Sequence, residues 1–400
     1  MNEELEEVKE EQKEEDFIIE EDDDNDEILL ERVRAKKRMF RFMGIIVVIF
    51  LVLVLLLSLL SLGNNDYDVT TLENMLKEAA EKYFEENPSS LPGIDGDIVE
   101  IDSSNLVAAG YMKDLSEYPI HETICSGKVQ VQKTSDDYYY IPYLNCGEEY
   151  TTVELYQKIL SDQTVVSTGY GLYAHNGTYT YRGENINNYV QLDKSLWRIV
   201  RITANNNLVL VSEKGISYTQ PWDDRYNENR SYDSGMNQYS ASRVRDYLDK
   251  VYKNPVEEDG EDILSDHDKA KMVSFNVCTG KRTVRSEVKN NTEECSEVVQ
   301  NQRFGLLTVS DFLYASLDPN CKSAESKTCQ NYNYLVSDFN WWLVTANKED
   351  DSTVFQATRY GALELTNASS YAIVRPVIYL NDKVFYKAGN GSKEKPYEVK

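Results

Sequence analysis

The pattern of hydrophobic and polar positions divides the chain into a charged start, one long apolar stretch and a mixed remainder. From residue 44 to residue 62, the nineteen positions carry no charge and only two of them are serine. At 1.5 Å per residue, a helix of that length spans roughly 28 Å, which is close to the hydrocarbon core of a bilayer. The pattern predicts a single transmembrane helix over 44–62, because a cleavable signal peptide has a shorter apolar region nearer the N-terminus.

The segments before this stretch predict its orientation. Residues 32–43 form a basic juxtamembrane segment, with six Lys and Arg between Arg32 and Arg41. The positive-inside rule then places the N-terminus in the cytoplasm and residues 63–400 outside the cell, at the cell membrane. Residues 1–31 hold seventeen Asp and Glu against two Lys, so we expect a disordered acidic cytoplasmic tail, either solvated or docked on a basic partner.

Beyond the apolar stretch, the pattern predicts two folded parts. Residues 66–160 combine an amphipathic helix after Thr70, a second short helix and a hairpin, which together form a small α+β unit. From residue 165 onward the chain changes to short runs of aromatic and β-branched residues, broken by Asn and Gly turns, with one helix near Val244. The predicted fold class is therefore α+β, with a mixed module over 165–400.

The distribution of charge and the number and spacing of the cysteines restrict the possible partners and the location of the protein. The formal net charge is −26 and the Lys and Arg residues after residue 62 are scattered, which excludes nucleic acid as a partner because phosphate binding needs clustered cations. All six cysteines lie beyond the apolar stretch, without the close spacing of zinc sites, and an even number in an oxidising compartment predicts three disulfides. The six are Cys125, Cys146, Cys278, Cys295, Cys321 and Cys329.

The local sequence restricts the disulfide pairing only in part. Two strand-like runs flank a turn between Cys125 and Cys146, which places these two cysteines opposite each other at the open end of a hairpin. For the other four, pairing of near neighbours would close a short loop at 321–329 and a longer one at 278–295. The remaining connectivities stay open at this point.

Several short motifs of the C-terminal part occur in the same order as in a known domain. LWRIVRI, NNNLVLVSEKGI, FGLLTVSDF, NWWLVTA and IVRPVIYL follow one another within residues 165–400. They resemble an uncharacterised domain of surface proteins from low-GC Gram-positive bacteria, whose relatives share the C-type-lectin-like fold of the formylglycine-generating enzymes. The resemblance implies a C-type-lectin-like module over 165–400.

Residues 66–160 carry a second resemblance. With NLVAAGYM followed by YIPYLNCGEEYTT, they are similar to the soluble part of pilin-like proteins from the same bacteria. The chain departs from pilins in lacking their processing site, in which Gly precedes Phe-Thr-Leu-x-Glu. We therefore expect a static anchor and not a subunit of a pilus.

The search for catalytic chemistry yields no site. The formylglycine-generating enzymes use a copper-binding cysteine pair near the end of the domain, but the final seventy residues here contain no cysteine. The three histidines, His121, His175 and His267, are scattered, and none stands in a nucleophile-elbow context. We predict no catalytic residue, no metal ligand and no cofactor, while a calcium requirement and a carboxylate pair for glycoside hydrolysis stay open.

The candidates for ligand contact are three tryptophans and an arginine: Trp341, Trp342, Trp222 and Arg375. Indole faces stack on sugars or cations, and a guanidinium supplies forked donors. Arg198 and Arg201 lie in an apolar strand of the same kind. The alternative is that each arginine is buried against an acidic partner or a carbonyl and that the tryptophans form the core, as large aromatics usually do.

These observations predict a membrane-anchored extracellular surface protein whose C-terminal module binds a glycan, a cell-wall polymer or a protein without catalysis. One alternative is a cell-envelope enzyme with a carboxylate-based site. Another is a transmembrane scaffold or signalling protein that acts through the acidic cytoplasmic tail. The lack of a recognisable nucleophile or histidine-based motif in the sequence favours the binding function, but the sequence does not identify the ligand.

Overall fold

The computed structural model describes residues 24–61, 67–94, 97–133, 137–193, 195–216, 218–225, 235–253 and 263–400. The chain divides into two units, Met1–Asp66 and Tyr67–Lys400. The secondary structure is mixed α+β with many strands. That part of the predicted fold class is therefore confirmed.

The first unit contains helix α1 (Asp24–Ser61). Of the acidic tail predicted to be disordered, residues 1–23 lie outside the described residues. Residues 24–31 form the beginning of α1. This end of the acidic segment is therefore helical.

The prediction of a transmembrane helix over 44–62 is wrong. Among the described residues, no helix has both the length and the apolar character that a membrane crossing requires. Charged residues fill the first part of α1. The single-pass topology, which depended on this helix, is unsupported as well.

The second unit begins with helices packed on a small sheet. Its first elements are α2 (Val69–Glu86), β1 (Ile98–Asp102), α3 (Ser103–Ala108), β2 (Ser126–Lys133) and β3 (Tyr138–Asn145). The sheet is antiparallel in the order β1-β2-β3. Leu72, Leu76 and Ala80 lie on one face of α2 and are fully buried, because residues four apart in a helix share a face.

The rest of the second unit contains four α-helices and sixteen strands among its described residues. They are α4 (Leu155–Asp162), β4 (Gly171–His175), β5 (Thr178–Arg182), β6 (Tyr189–Leu192), β7 (Ser195–Ile202), β8 (Leu208–Ser212), β9 (Thr219–Pro221), α5 (Arg243–Lys253), α6 (Asp266–Ala270), β10 (Met272–Val273), β11 (Phe275–Cys278), β12 (Val298–Gln302), α7 (Val309–Ala315), β13 (Trp341–Ala346), β14 (Thr353–Ala357), β15 (Leu363–Asn367), β16 (Tyr371–Ile373), β17 (Val377–Leu380), β18 (Tyr386–Ala388) and β19 (Tyr397–Val399).

These strands form two larger sheets and a ribbon. The larger sheet has the order β10-β17-β8-β7-β6-β19-β18, with β5 paired to β7 and β4 paired to β5. The second sheet has the order β15-β14-β13-β16-β9, and β11 pairs with β12 as a separate ribbon. The chain leaves the strands at Arg375 and Pro376, between β16 and β17, as expected where a proline cannot donate to a ladder.

Two hydrophobic clusters and three disulfides hold the second unit together. One cluster is formed by α2, the three-stranded sheet and the residues around them, and the other extends from Leu155 to Tyr397. The disulfides are Cys125–Cys146, Cys278–Cys295 and Cys321–Cys329. The first closes the open end of the β2–β3 hairpin, where the two Cα atoms are 4.2 Å apart.

Candidate functional site

The tryptophans predicted to contact a ligand lie in the interior of the fold. Trp222, Trp341 and Trp342 each have 0% of their surface exposed. The indole N–H of Trp222 donates to the Leu343 carbonyl at 3.0 Å, and that of Trp342 donates to the Gln220 carbonyl at 2.7 Å. These side chains pack in the core and present no surface to a ligand.

Arg375 is also buried, with 1% of its surface exposed. Its guanidinium lies 4.7 Å from the ring centroid of Trp341 and donates to the carbonyls of Ser212 at 2.9 Å and Leu335 at 3.0 Å. Burial lowers the pKa of Arg375 to about 10, although the carboxylate of Glu213 acts in the opposite direction. Arg375 therefore matches the alternative interpretation, an arginine satisfied inside the core by carbonyls.

An open cleft of about 890 Å³ lies elsewhere on the second unit. We call it the Arg201 cleft. It is bounded by β5, β7, β11 and β17, by the loop 287–292 and by the beginning of α7. Apolar side chains of Val200, Leu306 and Val377 line part of its base.

A network of charged and polar side chains is fixed at the base of the Arg201 cleft. Arg201 on β7 donates to the Asp311 carboxylate at 2.6 Å and to the Tyr379 hydroxyl at 3.2 Å. The Asn291 amide donates to the same carboxylate at 2.9 Å, and the backbone N–H of Thr308 donates to it at 3.1 Å. Asp311 and Thr308 form the capping box of α7, so the carboxylate that anchors Arg201 also stabilises the start of a helix.

The protonation states of this pair follow from its surroundings. Burial alone would raise the pKa of Asp311, but Arg201 and the hydrogen bonds from Asn291 and Thr308 outweigh burial and hold that pKa below its ordinary value. Burial opposes the charge of Arg201, yet Asp311 and Tyr379 raise its pKa. The base of the cleft is therefore a permanent ion pair at neutral pH.

Replacement of Asp311 by Asn is expected to lower the free energy of unfolding at pH 7 by about 1–3 kcal/mol, because Arg201 loses a charged hydrogen-bond partner. The folded pKa of Asp311 is depressed, so its contribution is present above the unfolded value of about 3.9 and is lost as the pH falls through the folded pKa. Urea unfolding of both proteins at pH 7 and pH 3 measures the difference, which should shrink at pH 3.

Asp224→Asn is the matched control, since Asp224 is exposed and, in the part of the chain that the structure describes, pairs with Arg243 at 3.4 Å. Its effect should stay below about 1 kcal/mol at either pH. A cost for Asp311→Asn that is independent of pH would contradict the assignment of the ion pair.

The walls of the Arg201 cleft combine an aromatic stack with uncharged polar groups. The rings of Phe275 on β11 and Tyr379 on β17 stack with centroids 4.1 Å apart and planes inclined by 13°. The amides and hydroxyls that line the cleft belong to Asn176, Asn276, Asn290, Asn291, Thr178, Thr180, Thr292 and Thr308. Such groups both donate and accept hydrogen bonds, which suits a ligand that does the same.

The loop that forms one wall of the cleft is tied down at several points. Residues 287–292 belong to the longer loop 278–295, and the disulfide Cys278–Cys295 joins the two ends of that longer loop. Inside the loop, Arg282 and Glu294 are both fully buried and pair at 2.8 Å. Arg282 also donates to the carbonyl of Ser286 at 2.8 Å. The wall is therefore held in one arrangement before any ligand arrives.

A lysine adds a positive charge to the same wall. The ammonium of Lys289 donates to the Cys321 carbonyl, which links the loop to the neighbouring disulfide. Burial, reinforced by the nearby charge of Arg182, lowers the pKa of Lys289. Glu287 also lines the cleft, so the formal charges of Arg201, Lys289, Asp311 and Glu287 balance.

The described residues offer no group of three or more His, Cys, Asp or Glu side chains placed to hold a metal ion. What the cleft offers is hydrogen bonding, stacking and a fixed ion pair. The sequence pointed to Arg201 among the arginines of apolar strands but not to its partners. Asp311 lies 110 positions away along the chain, and no local signal connects the two residues.

The comparisons with known proteins identify one domain. Residues 205–382 match the family described as a domain of unknown function, DUF6273. No curated protein and no solved structure matches the chain. The match does not connect the chain to C-type-lectin-like or formylglycine-generating proteins, and no comparison connects residues 66–160 to pilins. Most of the Arg201 cleft, including its whole loop wall, lies inside the matched residues.

Proposed function

We propose that the part of the second unit from residue 155 onward is a non-catalytic binding module, and that its ligand is a neutral saccharide held in the Arg201 cleft. The observation that carries the proposal is the cleft itself. It has a volume of about 890 Å³ and is walled by amides, hydroxyls and stacked aromatic rings over a fixed base. Binding sites of this size combine apolar and aromatic surface with a few well-placed polar groups.

The charges support an uncharged ligand. Two cationic and two anionic side chains line the cleft, so the cleft itself does not select an anion. The whole chain carries a formal net charge of −26, which repels polyanions at long range. Among the ligands considered from the sequence, a neutral glycan therefore fits better than an anionic wall polymer.

The state of Asp311 supports binding over hydrolysis. A glycosidase that uses two carboxylates requires one protonated carboxyl group with a raised pKa as its general acid. The pKa of Asp311 is lowered, and its oxygens already accept hydrogen bonds from Arg201, Asn291 and Thr308. Asp311 is thus suited to fix the base of the cleft and not to transfer a proton.

The three disulfides support a location outside the reducing cytoplasm. Each joins two cysteines near each other in the chain, and no cysteine of the chain is left free. Disulfides persist in secreted and extracellular proteins and are rare where thiols are kept reduced. The module is accordingly proposed to meet its ligand outside the cell.

Binding of the oxidised full-length protein to an array of neutral and anionic glycans tests this function. We expect saturable binding to one or more neutral glycans, and Asn276→Ala should weaken it about three- to tenfold, because an exposed amide of the cleft wall is lost. Asn205→Ala, an exposed asparagine outside the cleft, is the matched control and should bind as the unmodified protein does. An array without any neutral glycan bound would refute the proposed ligand.

A further inference from the structure

A second concave surface lies on the five-stranded sheet and shares no residue with the Arg201 cleft. We call it the tyrosine groove. It has a volume of about 570 Å³ and lies along β16, between the loop 338–340 and the turn 358–362. Its side chains include Tyr360 and Tyr371, which are 71% and 63% exposed. Two large aromatic side chains so open to solvent on one groove call for a functional explanation.

The turn that carries Tyr360 is rigid. It connects β14 to β15, and the backbone N–H groups of Thr358 and Gly361 donate at 2.8 Å to the carbonyls of Ala362 and Thr358. Gly361 has φ +74°, and a Cβ there would lie 2.3 Å from the Cβ of Gln330, so the turn requires glycine. The ring of Tyr360 is therefore displayed on a fixed support.

Asn340 connects this turn to the strand that carries Tyr371. Its side-chain oxygen accepts from the backbone N–H of Arg359 at 2.8 Å, and its carbonyl accepts from the N–H of Ile373 on β16 at 2.9 Å. Tyr371 is itself fixed by pairing of β16 with β9, in which it lies opposite Pro221. The two backbone positions that carry the rings are thus fixed relative to each other without a ligand, which reduces the entropy lost on binding.

The polar groups of the tyrosine groove point to the class of ligand. Asp338, Glu364, Arg359 and Asn340 line it together with the two rings. Within the described part of the chain, neither Asp338 nor Glu364 forms an ion pair, so both carboxylates are available as acceptors. The Arg359 guanidinium lies 4.8 Å from the Tyr360 ring centroid and donates to its hydroxyl at 2.6 Å.

These groups match a saccharide better than the other classes of ligand. Aromatic rings provide flat apolar surfaces, while carboxylates, an amide and a guanidinium provide the acceptors and donors that sugar hydroxyls need. The two carboxylates against one guanidinium disfavour an anion. A peptide could not pair with β16 itself, because β16 is an interior strand between β13 and β9.

We infer that the tyrosine groove is a second binding site for a neutral saccharide, separate from the Arg201 cleft. The module then holds a glycan chain, or two chains, at two points. Two weak sites on one body raise the avidity for a polymer far above the affinity for a short fragment. This inference does not depend on the proposed function of the Arg201 cleft, and the two are distinguished by their variants.

Titration calorimetry of the oxidised full-length protein with chitotriose, cellotriose and maltotriose tests the inference. We expect at least one trisaccharide to bind, and the double replacement Tyr360→Ala/Tyr371→Ala to weaken the groove site about tenfold or more. Tyr360→Phe/Tyr371→Phe keeps both rings and should retain most of the affinity. Tyr332→Ala is the control, since Tyr332 is 47% exposed but lies outside the groove.

The outcomes separate the two sites. The inference is supported if the double alanine variant loses one trisaccharide-binding event that the double phenylalanine variant and Asn276→Ala both keep. This result would hold whether or not the Arg201 cleft also binds a sugar. Equal affinity of the double alanine variant and the unmodified protein, or no binding of any of the three trisaccharides, overturns the inference. Binding of a peptide in the groove in place of the sugars overturns it as well.

Discussion

Replacement of Glu294 by Ala is expected to lower the free energy of unfolding by about 3–5 kcal/mol, because it removes the nearest and only fully buried counter-charge described for the buried Arg282 guanidinium. Both side chains are fully buried and their nearest atoms are 2.8 Å apart. Glu294 also accepts hydrogen bonds from the backbone and hydroxyl of Ser310 at 3.1 Å and 2.8 Å. Urea unfolding of the oxidised protein measures the loss.

Two further variants show whether the cost comes from the unpaired charge. Glu293→Ala removes the neighbouring carboxylate, which is 36% exposed and 3.9 Å from Arg282, and should cost at most about 1 kcal/mol. The double replacement Arg282→Met/Glu294→Leu removes both charges and should be less destabilised than Glu294→Ala alone. If the Glu294→Ala and Glu293→Ala variants are equally stable, the buried ion pair does not support the wall of the cleft as described.

The second large effect is expected for Trp341. The side chain is fully buried on β13, below the guanidinium of Arg375, so Trp341→Ala should cost about 3–5 kcal/mol of stability through the cavity that it leaves. Trp341→Phe keeps an aromatic ring and should cost less. Thermal unfolding of the two variants measures the difference.

Glycan binding of the same variants shows whether Trp341 acts in the core or in a ligand site. Below its unfolding transition, Trp341→Ala should bind a glycan as the unmodified protein does, because the indole presents no surface to solvent. If the Trp341→Ala protein were folded and as stable as the unmodified protein but did not bind the glycan, Trp341 would be a ligand contact. That result would contradict its assignment to the hydrophobic core.

Features that depend on neighbouring residues could be predicted from the sequence. The three disulfides join cysteines separated by 21, 17 and 8 positions, and in the first pair the flanking strands alone place the cysteines opposite each other. The helix near Val244 is α5, whose residues Val244, Leu248 and Val251 are buried on one face. Local periodicity carries such information because each element must bury its apolar side.

Features that depend on distant residues could not be predicted. The base of the Arg201 cleft joins residues from β7, from the loop of the second disulfide and from α7, which are brought together only by the sheet order. The tyrosine groove depends on Asn340, which bonds both to the turn after β14 and to β16. In the sequence, an arginine within an apolar run gives the same pattern whether its side chain is buried in the core, as that of Arg375 is, or lines a cleft, as that of Arg201 does.

The predicted transmembrane helix shows that a strong local pattern in the sequence can also give a wrong prediction. An uncharged stretch of nineteen residues is a strong pattern in the sequence. Among the residues that the structure describes, no helix has the length and the apolar character that a membrane crossing requires. The proposals for the second unit therefore rest on its own clefts and disulfides and on no assumption about an anchor.

A crystal structure of the oxidised full-length protein in complex with the neutral trisaccharide that binds most tightly would test the central claim most directly. We predict a sugar in the Arg201 cleft, with its hydroxyls within hydrogen-bond distance of Asn276 or Asn291 and with the Arg201–Asp311 pair unbroken beneath it. A second sugar on Tyr360 and Tyr371 would agree with the further inference. A cleft left empty while the saccharide binds elsewhere on the module would contradict the proposed function.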